Sequence, residues 1–388
     1  MARCLTLALA LLAAACMAST AEAKPKHLTP TQKTYLRQAE RGVAKAHKYW
    51  WDSGRHWYRD RRGSHSTHPL ATIWGIVPLF EAVNAIQIAS PSHRHRQAVK
   101  DFVRGAERYW NPRQRPAPGY AAYPGDRRTG GRIWFDDNGW WGLALFDAYR
   151  ATHSRRALDA SRRALSFIIK AGWDRRRGGI WWNNMRKFKA GESLASTTLL
   201  SALLYKELHR RSYLRLARRL IAWGDDSMWN EQHGLYGARN TSDAAMPYVE
   251  GPMIAAHQTL CRATGVQAYC LRARQLAANA YGLFGDTFGM GPQFDAVYIH
   301  WMLDYYSHGG DPAWYLLGQR VASDAIANAR NSNGVFTRAW DGSSMYHHDA
   351  KPGSLRTHAA SVSVLAWLAT VKPPAAGAAM DRPAAVSR

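Results

Sequence analysis

One repeated pattern limits the folds open to this chain. Two helix-length segments are joined by a few residues, and a longer loop rich in Gly, Asn and aromatic residues follows. Apolar residues at helical spacing predict helices over about 30–50, 70–90, 92–110, 138–152, 155–171, 192–210, 212–229, 248–264, 267–284, 293–309, 312–329 and 354–371. Thr29-Pro30 and Asp311-Pro312 read as helix N-caps followed by Pro at the first helical position. The short connectors are Thr152-His153-Ser154, Arg210-Arg211, Gly265-Val266 and Gly309-Gly310. The long ones are Gly178-Gly179-Ile180-Trp181-Trp182-Asn183-Asn184, His233-Gly234-Leu235-Tyr236-Gly237, and Asn333-Gly334-Val335-Phe336 with Trp340. The period is roughly 50 to 60 residues, that of a degenerate repeat. No long strand pattern is evident. An open solenoid needs polar caps at both ends, and none is clear here. The expectation is an all-α, closed (α/α)6 toroid of six helical hairpins, with the aromatic loops gathered at one end.

The N-terminus reads as an export leader. Arg3 precedes an apolar run from Leu5 to Ala15, and Ala21-Glu22-Ala23 fits a cleavage site. Cys16 offers lipoprotein processing instead, but the Leu usual three residues before such a Cys is Ala13. The expected division is a signal peptide over 1–23, a toroidal domain over 24–371 and a disordered Ala/Pro-rich tail over 372–388. The mature protein would be secreted or periplasmic, without stable membrane insertion, since no second long apolar run follows. Cys261 and Cys270 would remain, and in an oxidising compartment a disulfide stapling their helix hairpin is expected, two buried thiols being the alternative.

The net charge is +24. Much of it falls on three segments: Arg94, Arg96, Lys100, Arg104 and Arg108; Arg155, Arg156, Arg162 and Arg163; Arg215, Arg218 and Arg219. These read as solvated faces of outer helices, with a weak pull toward acidic surfaces. No recognition motif accompanies them, so no nucleic-acid partner is expected.

The stretch with most chemical content is Trp134-Phe135-Asp136-Asp137-Asn138-Gly139-Trp140-Trp141. Acids near a helix start serve as caps. The same pair can also split into an ionised and a protonated carboxyl: the helix N-terminus favours the anion, and flanking indoles desolvate it. Glycoside hydrolysis needs that division of labour. The chain carries 17 Trp and 18 Tyr, and aromatic faces suit the C–H faces of sugars. Trp134, Trp140, Trp141, Trp181 and Trp182 are the candidates for a sugar groove. Asp225-Asp226 reads as a surface pair and Glu192 as a cap or support for its helix. His257 and His347-His348-Asp349 lack compact metal-ligand spacing, so no metal or cofactor is expected.

The segments Asp136-Asp137-Asn138-Gly139-Trp140-Trp141 and Gly178-Gly179-Ile180-Trp181-Trp182 resemble glycoside hydrolase family 76, over roughly residues 30 to 370. The resemblance implies an (α/α)6 toroid acting as a retaining endo-α-1,6-mannanase on a polysaccharide or oligosaccharide, with Asp136 as nucleophile and Asp137 as general acid/base. A monomer is expected. Two segments depart from the family pattern. Tyr248-Val249-Glu250-Gly251 stands where Tyr-Asn-Gln-Gly is usual, and Phe294-Asp295-Ala296 where Phe-Lys-Gly is common. On this reading Tyr248, Glu250 and Asp295 face the cleft and make it more acidic, unless the two acids are paired internally. The alternatives are a glycan-binding toroid with little activity, and a transglycosylase or lyase on another cell-wall or acidic glycan.

Overall fold

The computed structural model describes residues 27–63, 67–285, 290–343 and 353–375. The described residues form twelve α-helices: α1 (Pro30–Trp50), α2 (Ile73–Ala89), α3 (His93–Ala106), α4 (Phe135–Thr152), α5 (Arg155–Phe167), α6 (Gly191–Leu208), α7 (Arg211–Ser227), α8 (Pro247–Thr264), α9 (Gln267–Phe284), α10 (Pro292–Ser307), α11 (Ala313–Asn328) and α12 (Leu355–Thr370). Strands are short. β1 (Trp51–Asp52) pairs with β2 (Trp57–Tyr58), and β3 (Trp110–Asn111) with β4 (Gly119–Tyr120); β5 (Trp229–Asn230), β6 (Leu235–Arg239) and β7 (Ser242–Ala245) make one antiparallel sheet.

The even-numbered helices close a ring. α2 packs on α4, α4 on α6, α6 on α8, α8 on α10, α10 on α12, and α12 returns to α2. Their sequences explain the position. α2, α6 and α12 are apolar or small on nearly every side and are buried along almost their whole length, as an all-round apolar helix must be. The odd-numbered helices bury one stripe each. α5 and α7 keep their arginines mostly outside and their Ala, Leu and Ile inside. The toroid expected from the repeat is therefore present. Five hairpins are consecutive, whereas the sixth pair joins the ends of the chain, α1 against α12, with Gln32 Nε2 donating to the Ala369 carbonyl at 3.1 Å.

Each inner helix turns outward through a tight connection. His153, His209 and Gly265 take the left-handed conformation just past α4, α6 and α8, and each N–H returns to a carbonyl four residues back, closing the helix end. Tyr149 packs edge-on against His153, and Tyr205 against His209. The long loops lead from outer to inner helices, and so they collect at the inner helices' N-terminal ends. Inside the ring, buried Glu81, Asp147 and His300 meet from α2, α4 and α10, with Trp367 of α12 stacked on His300 at 3.7 Å.

Some boundaries differ from the sequence reading. The segment read as one helix to 171 leaves α-geometry after Phe167 for a single π-turn over Ile168–Gly172. The segment read to 110 ends at Ala106, followed by a 3-10 turn and then β3. Cys261 and Cys270 are bonded, stapling α8 to α9. Replacing both by Ser should cost about 2–3 kcal/mol for so short a loop. A thermal melt of the double variant checks this; an unshifted Tm would mean that packing alone holds the hairpin.

The leader over 1–23 with Cys16, His347-His348-Asp349, and the tail beyond residue 375 lie outside the described residues. Among those described, no helix is long and apolar enough to cross a membrane.

Candidate active site

Asp136 and Asp137 sit in the first turn of α4, with Trp134 as its N-cap residue. Two loops hold that turn. Asn138, fully buried, accepts from the Tyr120 N–H at 3.0 Å and donates to the carbonyls of Tyr120 and Trp134 at 2.9 and 3.1 Å, tying the long 111–133 loop to the helix start. The aromatic loop before α6 runs alongside. The Phe135 N–H donates to the Trp182 carbonyl at 2.8 Å, and the Asn184 N–H to the Ile133 carbonyl at 3.1 Å. Gly178 and Gly179 make the turn that starts this loop at φ +70° and +76°, flat against Trp223, where a Cβ would fall within 2.5 Å of the ring. The result is an indole over a carboxylate: Trp182 Nε1 donates to Asp136 Oδ2 at 3.3 Å.

Both aspartates line a cleft of about 490 Å³ at the loop end of the ring. One wall is a chain of rings. Trp140 and Phe294 lie 6.1 and 5.5 Å from Trp74, and Tyr248 lies 4.9 Å from Phe294. Opposite, Trp182 stacks on Phe188 at 5.1 Å, and the Arg239 guanidinium lies 4.5 Å from the Phe188 ring centre. Trp134 lines the cleft half-buried, and Asp60, Tyr123, Glu192 and Arg356 add polar groups. A larger groove of about 1130 Å³ lies between outer helices α1 and α3. Neither paired carboxylate lines it, so the smaller cleft is the candidate site.

Burial pushes the Asp136 carboxyl up to about 7, against the opposing pull of the Asp137 N–H and the Trp182 indole. Its Oδ1 is buried without a hydrogen-bond partner. Glu192, in the first turn of α6, is pushed up to about 8 by burial and then by the charge of Asp136. Three carboxyls thus meet at the N-terminal ends of two adjacent inner helices.

Trp134, Trp140, Trp182, Tyr248, Asp136 and Asp137 come together as expected. Four other candidates do not line the cleft. Trp141 is wholly buried on the opposite side of α4 against Phe80 and Tyr109, because one residue turns a helix about 100°. Trp181 points away from its neighbour Trp182, as consecutive extended residues do, and carries Lys189 over its ring at 5.0 Å. Glu250 is buried behind the cleft, where its Oε1 accepts from the Tyr236 N–H at 2.8 Å and steadies β6. Asp295 accepts from the Gly291 N–H at 3.2 Å across the start of α10. Burial raises both acids, Glu250 well above its usual range and Asp295 to about 8. They do not acidify the cleft, and neither forms an ion pair among the described residues. Asp225 serves structure, accepting from Tyr236 Oη and Arg272.

Glu192 and the ring wall of Trp74, Phe188 and Phe294 were not legible as site residues. The repeat held a clue for Glu192: Asp136, Glu192 and Tyr248 recur at equal intervals, each as the second residue of an inner helix. Among the described residues no group of three His, Cys, Asp or Glu could hold a metal ion.

Comparison with known proteins fits this geometry. The fold is similar to that of a family 76 α-mannanase of Bacteroides thetaiotaomicron, with a TM-score of 0.76 and 20% identity over 87% of this chain and 95% of that one. It is also similar to an α-1,6-mannanase of Salegentibacter, with a TM-score of 0.70 and 16% identity over 86% and 99%. A variant of that second enzyme, inactivated by replacing two aspartates with asparagine, has been seen in complex with α-1,6-mannotriose. A curated relative, the meiotically up-regulated gene 191 protein of Schizosaccharomyces pombe, is 23% identical over 224 residues. That alignment covers 52% of this chain, which spans about half (48%) of the relative's length. The profile of glycosyl hydrolase family 76 matches residues 115–300, the span from the loop before α4 into α10 that carries both aspartates and most of the cleft. Residues 115–300 thus match glycosyl hydrolase family 76 by sequence, and the fold over most of the chain is similar to that of solved family 76 α-mannanases.

Proposed function

We propose that the protein is a retaining glycoside hydrolase that cuts α-1,6-linked mannan internally, with Asp136 as nucleophile and Asp137 as general acid/base. The observation that carries this reading is two adjacent carboxyls in the floor of a ring-lined cleft at the inner helices' N-termini. Asp136 Oδ2 accepts from the Trp182 indole, and the nearby Asp137 N–H also pulls the carboxyl toward its anion. Trp74 on one wall and Trp182 and Phe188 on the other, each half-buried, offer flat faces for sugars. The mannan preference is drawn from the structural relatives.

The chemistry balances without a cofactor. One Asp136 oxygen bonds to the anomeric carbon while the glycosidic C–O bond breaks, and Asp137 gives its proton to the leaving oxygen. Asp137, now ionised, takes a proton from the water whose oxygen attacks the same carbon, and Asp136 leaves as carboxylate. The 10-residue Cys261–Cys270 staple supports an exported protein, since such bonds persist in oxidising compartments.

The test is oligosaccharide release from α-1,6-mannan by the purified protein, with the anomer of the first product read by NMR. A ladder of α-anomeric products is expected. A β-anomer would overturn retention, and a folded protein that binds mannan without cutting it would favour a glycan-binding role.

A further inference from the structure

We propose that Glu192 holds the proton that Asp136 must be without: a neutral Glu192 carboxyl stands beside Asp136 and keeps it ionised and aimed for attack, making Glu192 a positioning residue. This rests on the nucleophile assignment above.

The placement begins with helix packing. α4 and α6 approach so closely at Gly139 that a Cβ there would lie 2.1 Å from Ser196 Oγ and 2.6 Å from Ser196 Cβ. Gly142 meets Leu200 one turn further along. Ser196 Oγ donates to the Glu192 carbonyl at 2.7 Å, which makes the α6 face compact at this point. Asp136 and Glu192 lie one turn before Gly139 and Ser196, each second in its helix, and both line the cleft. Asp136 Oδ1 is buried and lacks a hydrogen-bond partner, while Oδ2 is taken by Trp182. A carboxylic O–H on Glu192, which lines the same cleft and feels the Asp136 charge, would supply the donor that Oδ1 lacks.

The other titratable and charged groups around the pair do not remove the conflict between the two acids. Asp137 shares α4 with Asp136, Asp60 and Arg356 line the same cleft from the loop after β2 and from α12, and Arg239 at the end of β6 is the cation acting on Glu192. Two adjacent buried carboxylates cannot both ionise freely near neutral pH. Protonating Asp136 would remove the nucleophile, so the productive arrangement puts the single proton on Glu192. Burial and the Asp136 charge both push the Glu192 carboxyl up, which favours its neutral form beside the Asp136 anion. During glycosylation the Asp136 charge is consumed in the new C–O bond, and Glu192 keeps its proton throughout, so no extra transfer is needed.

Infrared spectra of the folded protein read this without any substrate. The difference between parent and Glu192→Gln at pH 7 should show one protonated-carboxyl C=O band lost from the parent. Loss of carboxylate bands instead would mean that Glu192 is ionised and would overturn the proposal. In Asp136→Asn the Glu192 band should titrate at lower pH, because the anion that raised it is gone; an unmoved midpoint would also overturn it. Kinetically, Glu192→Gln, which keeps a neutral donor, should hold kcat within about tenfold and lose one alkaline inflection of kcat/KM. A fall beyond about 100-fold at every pH would assign Glu192 an anionic role. An unaltered profile would make it structural. A parent inactive on mannan would sink the functional reading alone, since the spectra decide Glu192 independently.

Discussion

Asp136→Asn and Asp137→Asn should each nearly abolish mannan cleavage yet answer differently to azide. Removing the general acid/base costs about 10²–10⁴-fold. Removing the nucleophile blocks the covalent route and should cost at least as much. An activated aryl mannoside, whose leaving group needs no proton, separates the two roles. With Asp137→Asn the glycosyl-enzyme still forms, and azide replaces the water that no longer has a base, giving the α-mannosyl azide. With Asp136→Asn azide enters the space left by the nucleophile on the opposite face, giving the β-mannosyl azide. Reversal of these anomers would exchange the roles of the two residues. The exchange is a real alternative on physical grounds, because burial raises Asp136 and a raised carboxyl is the usual mark of the acid. The N–H donors on Asp136 and the raised carboxyl of Glu192 are what favour the assignment made above.

Gly139→Ala should weaken the fold and the reaction together. Helix propensity alone would favour Ala by about 1 kcal/mol. The contact geometry opposes it, since the new methyl would overlap both Ser196 Oγ and Cβ. Overpacking of this kind costs about 1–3 kcal/mol, so the net effect should be a lower Tm. The overlap is relieved only by parting α4 from α6, which moves Asp136 away from Glu192 and from the Trp182 indole. Misplacement by about 1 Å can cost about 100-fold in rate, so kcat should fall far more than stability. The paired change Gly139→Ala with Ser196→Gly returns the lost space. A double-mutant cycle should show recovery of both Tm and kcat, and independence of the two sites would refute this account of the interface.

The Asp136-Asp137 pair, its helix start and the disulfide partners were legible because each depends on local order. Caps, hairpin connectors and first-turn acids act over three or four residues, within reach of a sequence pattern. The ring was legible for a related reason: its repeat alternates apolar and amphipathic helices, and a helix apolar on all sides must lie within the circle of the others. That α1 supplies the outer partner of α12 was not legible, since the pairing joins residues 337 apart without a local mark.

Within the site, the sequence could supply aromatic residues but not their direction. Trp140 faces the cleft and Trp141 the core because a helical turn separates neighbours by about 100°. Trp182 faces Asp136 while Trp181 faces away because extended residues alternate. Glu250 and Asp295 looked like cleft acids by resemblance to the family's motifs, yet each is drawn behind the cleft to a backbone N–H.

By itself, the sequence determined the helical repeat, the toroid it closes into, the first-turn aspartates and the cysteine staple, since near-neighbour physics governs all of them. Only the tertiary structure decided which rings form the cleft, where Glu250 and Asp295 retire, and that Glu192 stands beside Asp136. Those outcomes depend on how closely two inner helices approach, and a glycine facing a serine across that gap sets the distance.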